Sequence, residues 1–210
     1  MGPSDMPKEP PKPSEVRQAE SEPQTNKFLD EWISSSPSNT VNVGQIEQMK
    51  APPGWQEGKT VKPTGGSSFY REFHPPEATD VTLGFYYRGR RVSEQAGNAF
   101  HNLLQKPLDK NGVYTLKPSE LESVREVLRD KLDPQAFKLM TAEIKEIRGK
   151  KVMTIEGLAP AAQKETRAVY IDSDGTGTAV QEILYQAPAA QYSRYLPAIT
   201  SALKTIQWKG

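Results

Sequence analysis

The chain has no cysteine in its 210 residues. That absence excludes disulfides, thiolate nucleophiles and thiolate metal sites together, and leaves the redox compartment open. Net charge is nearly absent too: 27 Lys and Arg stand against 26 Asp and Glu. No global field therefore draws the molecule to nucleic acid or an anionic membrane. Long hydrophobic runs are missing. The first 27 residues hold no apolar stretch, hence no signal-peptide core and no membrane-spanning helix in the chain as given. Met6 stands where a myristoylation signal requires Ser or Thr. The expectation is a soluble protein, the alternative an exported or lipid-anchored precursor whose leader has been removed.

What is present divides the chain unequally. The hydrophobic share is 35% and prolines number 18, a composition that fits a folded domain plus a segment that stays unfolded. Residues 1–27 are rich in Pro, Glu and Ser, with too little apolar surface to offset an ordering cost of roughly 1–2 kcal/mol per residue. They read as a disordered arm. Residues 28–50 read as a short amphipathic segment and a linker. Its apolar side chains Phe28, Leu29, Trp32 and Ile33 either dock on their own domain or enter a partner's groove. Residues 51–210 read as a single α+β domain.

Within that domain, 67–73 and 81–88 are aromatic and β-branched runs around His74-Pro75-Pro76-Glu77, hence two strands and a turn. Ser93 caps a helix with its stripe at Ala96, Ala99, Phe100, Leu103 and Leu104. Ser119 with Glu122 suggests a second, with a stripe at Leu121, Val124, Val127 and Leu128. Residues 139–147 and 152–156 flank the turn Arg148-Gly149-Lys150-Lys151, and Met140, Ala142 and Ile144 alternate on one face. Residues 166–171 and 178–186 flank a second turn from Asp172 to Gly177. A last helical stripe runs from Tyr192 to Ile206, and Pro197 inside it places the regular helix start there. Strands in hairpin pairs, with helices grouped between them, predict an antiparallel sheet flanked by helices.

The opening Pro52-Pro53-Gly54-Trp55, the stretch Glu146-Ile147-Arg148-Gly149-Lys150-Lys151 before a strand, and the close Tyr195-Leu196-Pro197-Ala198-Ile199 through Leu203-Lys204-Thr205-Ile206-Gln207-Trp208 resemble the PsbP-like family. That family comprises the photosystem II extrinsic protein and bacterial relatives of unassigned role. The resemblance covers residues 53–208. It implies a central antiparallel sheet between helices and an accessory or binding role. It carries over no metal or ligand residue, and photosynthetic function is not implied.

Individual chemistries fail on spacing. The loop Asp172-x-Asp174-x-Thr176-Gly177 begins like a calcium loop, but Ile183 occupies the twelfth position, where a bidentate acid belongs. Gly175-Thr176-Gly177-Thr178-Ala179-Val180 lacks the third glycine of a dinucleotide loop and precedes a strand. The two histidines, His74 and His101, sit in no zinc spacing. No metal site and no cofactor is expected. Acid pairs at Glu120 and Glu122, Asp130 and Asp133, Glu143 and Glu146 read as solvated faces. The aromatic run Phe85-Tyr86-Tyr87 leads into Arg88, Arg90 and Arg91, a combination that can stack bases, meet an acidic partner, or simply fill a core and turn. The leading expectation is a non-enzymatic accessory or protein-binding domain tethered by a flexible arm, its partner another protein. Phe28, Leu29, Trp32, Ile33, Arg88, Arg90 and Arg91 are the candidate contact residues. The alternatives are a hydrolase using dispersed His and carboxylate residues, and a nucleic-acid binder working through the arginines.

Overall fold

The computed structural model describes residues 39–61, 69–87 and 91–210. In chain order these form β1 (Thr40–Val43), β2 (Ile46–Lys50), β3 (Gln56–Val61), β4 (Phe69–His74), β5 (Thr82–Tyr87) and helix α1 (Glu94–Leu104). Then come β6 (Val113–Thr115), α2 (Pro118–Ser123), α3 (Arg125–Leu128) and a 3-10 turn (Arg129–Leu132). The remainder is β7 (Lys138–Ile147), β8 (Lys150–Ala159), β9 (Lys164–Asp172), β10 (Val180–Pro188), α4 (Tyr192–Leu203) and β11 (Gln207–Trp208). Eight strands join in the order β3-β4-β5-β10-β9-β8-β7-β6, and β1-β2-β11 make a small second sheet. Every pairing among the described residues is antiparallel. The fold is α+β, as the hairpin pattern predicts.

Each face of the large sheet carries its own core. On one, Phe73, Leu83, Phe85, Val169, Ile183 and Tyr185 are buried with Ile199 and Ala202 of α4 and with Val41, Ile46 and Met49 of the small sheet. On the other, Ile144, Met153, Ile155, Ala168, Tyr170 and Val180 are buried against Phe100, Leu103 and Leu104 of α1 and Val124, Val127 and Leu128 beyond it. The two covers are offset along the strand order. On the α4 face, apolar residues give way at β7 and β8 to Thr141, Glu143, Lys145 and Glu156, all at least partly exposed. On the α1 face, they give way at β4 and β5 to Tyr70, Glu72, Thr82 and Tyr86, half-buried in turn.

Several local features depart from the pattern. Residues 40–50, read as linker, form a β-hairpin with Val41, Ile46 and Met49 in the core, so the packed unit extends to Asn39. Its turn needs Gly44 in the left-handed region, at φ 56°, and any side chain there would meet Gln181. Strand β3 has no apolar alternation to signal it, because Gln-Glu-Gly-Lys-Thr-Val is exposed at every position on the sheet edge. Met140 does not share a face with Ala142 and Ile144. A bulge between Leu139 and Thr141 turns it outward, 61% exposed, and Leu139 takes the core side instead. The second helix is capped at Lys117, whose backbone N–H donates to Glu120 at 2.9 Å, not at Ser119, and the stripe breaks at Val124.

Helix α4 starts at Tyr192, with Pro197 inside it. Proline there removes one backbone hydrogen bond, and aromatic contacts hold the preceding turn in place. Tyr192 stacks on Tyr185 at 4.9 Å, and the Tyr185 hydroxyl donates to the Tyr192 carbonyl at 2.6 Å. Tyr195 meets Trp55 edge-on at 6.0 Å and donates to Glu77 at 3.0 Å.

Gln181 joins the two sheets. Fully buried on β10, its Oε1 accepts from Gln45 N at 2.9 Å and its Nε2 donates to Val43 O at 2.8 Å. Replacing it by Ala strands two backbone groups, a loss of about 1–3 kcal/mol. Urea unfolding of Gln181→Ala is expected to show a lower midpoint at unchanged slope; an unchanged midpoint contradicts the clamp.

Candidate functional site

Of the contact residues expected from sequence, Phe28, Leu29, Trp32, Ile33, Arg88 and Arg90 lie outside the described residues. Arg91 is described, and its guanidinium lies 3.2 Å from Asp174 Oδ2. Part of the arginine cluster therefore ties the entry of α1 to the turn between β9 and β10. That turn is organised by its own acids. Asp172 Oδ1 accepts from the backbone of Asp174, Gly175 and Gly177, at 3.3, 3.0 and 3.0 Å. Asp174 accepts from Thr176 N, Thr176 Oγ1 and Thr178 Oγ1. Gly177, at φ 80°, lets the loop pass so close to Gly97 of α1 that a side chain would collide with its carbonyl. The carboxylates serve the turn, and no group of three or more His, Asp and Glu is placed to hold a metal among the described residues.

The histidines stand apart in role. His74, at the end of β4, donates from Nδ1 to Pro75 O at 2.8 Å. His101, in the last turn of α1, lies 3.5 Å from Asp172 Oδ2 beside an open cleft of about 340 Å3 that Lys150 and Lys151 also line. Among the described residues neither ring meets a hydroxyl, the contact a Ser–His pair requires. The acid pairs are dispersed: Glu122 binds Arg125 at 2.6 Å, Glu143 binds Lys145 at 3.0 Å, and Glu120 accepts from Tyr114.

Among the described residues, two surfaces remain where the covers of the sheet stop. The first is the aromatic end of β4 and β5. Val61, Tyr70 and Tyr86 form one row across three strands, and Phe69 pairs with Tyr87 on the opposite face. All four rings are half-buried and Val61 is 44% exposed. The Tyr70 and Tyr86 rings sit 6.5 Å apart, and Gly84 gives Tyr70 room to lie flat on the sheet. Tyr70 donates to Glu72 at 2.6 Å. Burial first, then the carboxylates of Glu72 and Glu182, hold its hydroxyl well above the ordinary phenol range.

The second is a cleft of about 230 Å3 between α4 and the end of the β7–β8 hairpin. Val169 and Leu203 give it an apolar floor, and Lys145, Arg148, Arg167 and Lys204 surround it. These cations come from β7, a turn, β9 and the end of α4, across about sixty positions of sequence. Only the turn at Arg148-Gly149-Lys150-Lys151 signals them in advance; the rest needs strand register.

Asp174 supplies a pH test. Burial alone would raise its pKa, but hydrogen bonds from Thr176 and Thr178 outweigh burial and hold the carboxyl far below the usual range. Its contribution is therefore complete above the unfolded value of about 3.9 and is lost as pH falls toward the depressed folded value. Asp174→Asn is expected to be less stable than the parent at pH 7, with the gap closing below about pH 4. Thermal melts across pH measure this; a constant gap contradicts it.

No helix among the described residues is long and apolar enough to cross a membrane. No protein-family model matches the chain, and no curated protein does. Among solved structures, the solution structure of cyanobacterial PsbP (CyanoP) from Synechocystis sp. PCC 6803 aligns with 80% of this chain and 95% of that one, at 10% identity and a TM-score of 0.45. It is a likeness of chain path, at an identity that conveys nothing about activity or partner.

Proposed function

We propose that the chain is an accessory domain that binds another protein through the aromatic end of β4 and β5. The carrying observation is the row Val61, Tyr70 and Tyr86, which no described helix covers although the same row continues under α1 as Tyr170 and Met153. Tyrosine offers large, rigid contact area with a polar tip and is enriched in protein interfaces, particularly where truncation costs most. A half-buried cluster of this kind on a sheet margin favours a partner over plain solvent. Residues 1–27, read from composition as an arm, would then give the domain reach. The reading requires no bond-making step.

A photo-crosslinking residue at position 61, in cells that make the protein, is expected to trap one dominant protein. The purified partner should then bind Val61→Lys, changed at a 44% exposed position on the sheet edge, at least about tenfold more weakly, equivalent to 1.4 kcal/mol, with the melting temperature of the variant little changed. Equal binding of parent and variant overturns the assignment.

A further inference from the structure

The cleft beside α4 carries a second, independent inference. We propose that it binds an acidic peptide segment: one aliphatic side chain on the floor, with flanking carboxylates on the surrounding cations.

The chemistry of the walls selects this ligand. Four cations, Lys145, Arg148, Arg167 and Lys204, face a lining with one carboxylate, Glu146. Lys145 is already paired with Glu143 and Arg167 with Glu156. Those ion pairs fix the two inner cations on the sheet while leaving further N–H donors on each. Arg148 and Lys204 have no carboxylate within ion-pair distance among the described residues, and both are exposed. The hairpin that presents Arg148 is held firmly. Arg148 itself adopts φ 52°, Trp208 Nε1 donates to Ile147 O at 2.8 Å, and the Lys150 ammonium lies 5.7 Å from the Trp208 ring. A cation on a braced turn loses less freedom on binding than one on a loose loop.

Two features argue against a nucleic acid, and the second of them also against an anionic lipid surface. Val169 and Leu203 on the floor reward an aliphatic side chain, which a phosphodiester chain cannot supply. A molecule of net charge +1 also lacks the broad field that concentrates polyanions. Thr154, beside Val169 on the sheet, and Thr200 on α4, whose hydroxyl donates to Leu196 O and keeps its lone pairs for accepting, add polar groups for a peptide backbone.

The test uses the full chain and four defined probes in calorimetry: a blocked peptide Glu-Glu-Leu-Glu-Glu, its Glu-Glu-Gly-Glu-Glu counterpart, an oligothymidylate, and phosphatidylserine vesicles. The leucine peptide is expected to bind and to weaken with added salt. Its glycine counterpart should bind several-fold more weakly, because the floor is then unfilled. Arg148→Glu/Lys204→Glu, both at exposed positions, should weaken the leucine peptide at least about tenfold, with an unchanged melting temperature. Leu203→Asn serves as a second variant and should reduce the leucine peptide toward its glycine counterpart. No binding of the leucine peptide, equal binding by Arg148→Glu/Lys204→Glu, or preference for oligothymidylate or vesicles each overturns the proposal. Because the aromatic end of β4 and β5 is untouched in these variants, the outcome leaves the partner surface there to be judged separately.

Discussion

The structure depends on covering a sheet that is wider than any one element available to cover it. Eight strands present two broad faces, and an apolar residue contributes only where something lies over it, at roughly 25 cal/mol per Å2 removed from water. Helix α4 and the small sheet cover one face around β4, β5, β10 and β9; α1 to α3 cover the other around β7 to β10. Strands β9 and β10 are therefore apolar on both sides, while β4, β5, β7 and β8 each change character from face to face. The margin of the α1 cover is marked by charge. Glu182 of β10, 6% exposed, has Lys131 of the 3-10 turn 3.3 Å away, and the same ammonium lies 5.9 Å from the Tyr170 ring. Burying a carboxylate is tolerable only beside such a partner.

Both candidate surfaces follow from that offset. Where α1 to α3 end, tyrosines take over from aliphatic residues; where α4 ends, threonines and ion pairs do. Each is a compromise between exposing apolar area to water and closing the surface to partners. The small sheet is held to the large one by directional bonds as well as by packing. Gln181, Gln45 and Trp208 all make side-chain bonds to or from backbone groups across elements.

Much of the α+β layout was legible because its signals are local. Ser93 caps α1 through a 3.2 Å bond to Ala96 N, as its position before the Ala96–Leu104 stripe foretells. Gly149, Gly175 and Gly177 take the left-handed backbone of the two turns, and Asp172 supplies the side-chain acceptor of the second. Other features depend on the tertiary environment. Pro197 read as a helix start, yet the stack of Tyr192 on Tyr185 keeps the turn before it helical. Met140 read as a core residue, yet a one-residue bulge reversed its face. The cleft residues were invisible because register, not spacing, brings Lys145, Arg167 and Lys204 together.

Offset coverage is tested most directly by cysteine scanning, for which a chain without native thiols has no background. Single cysteines at positions 86 and 153 lie in one row of the α1 face; those at 141 and 183 lie on the α4 face. A thiol reagent added to the folded protein is expected to label 86 and 141 rapidly, and 153 and 183 only on unfolding. Protection of 86 and 141 to the same degree as 153 and 183 would show both faces fully covered and contradict the account.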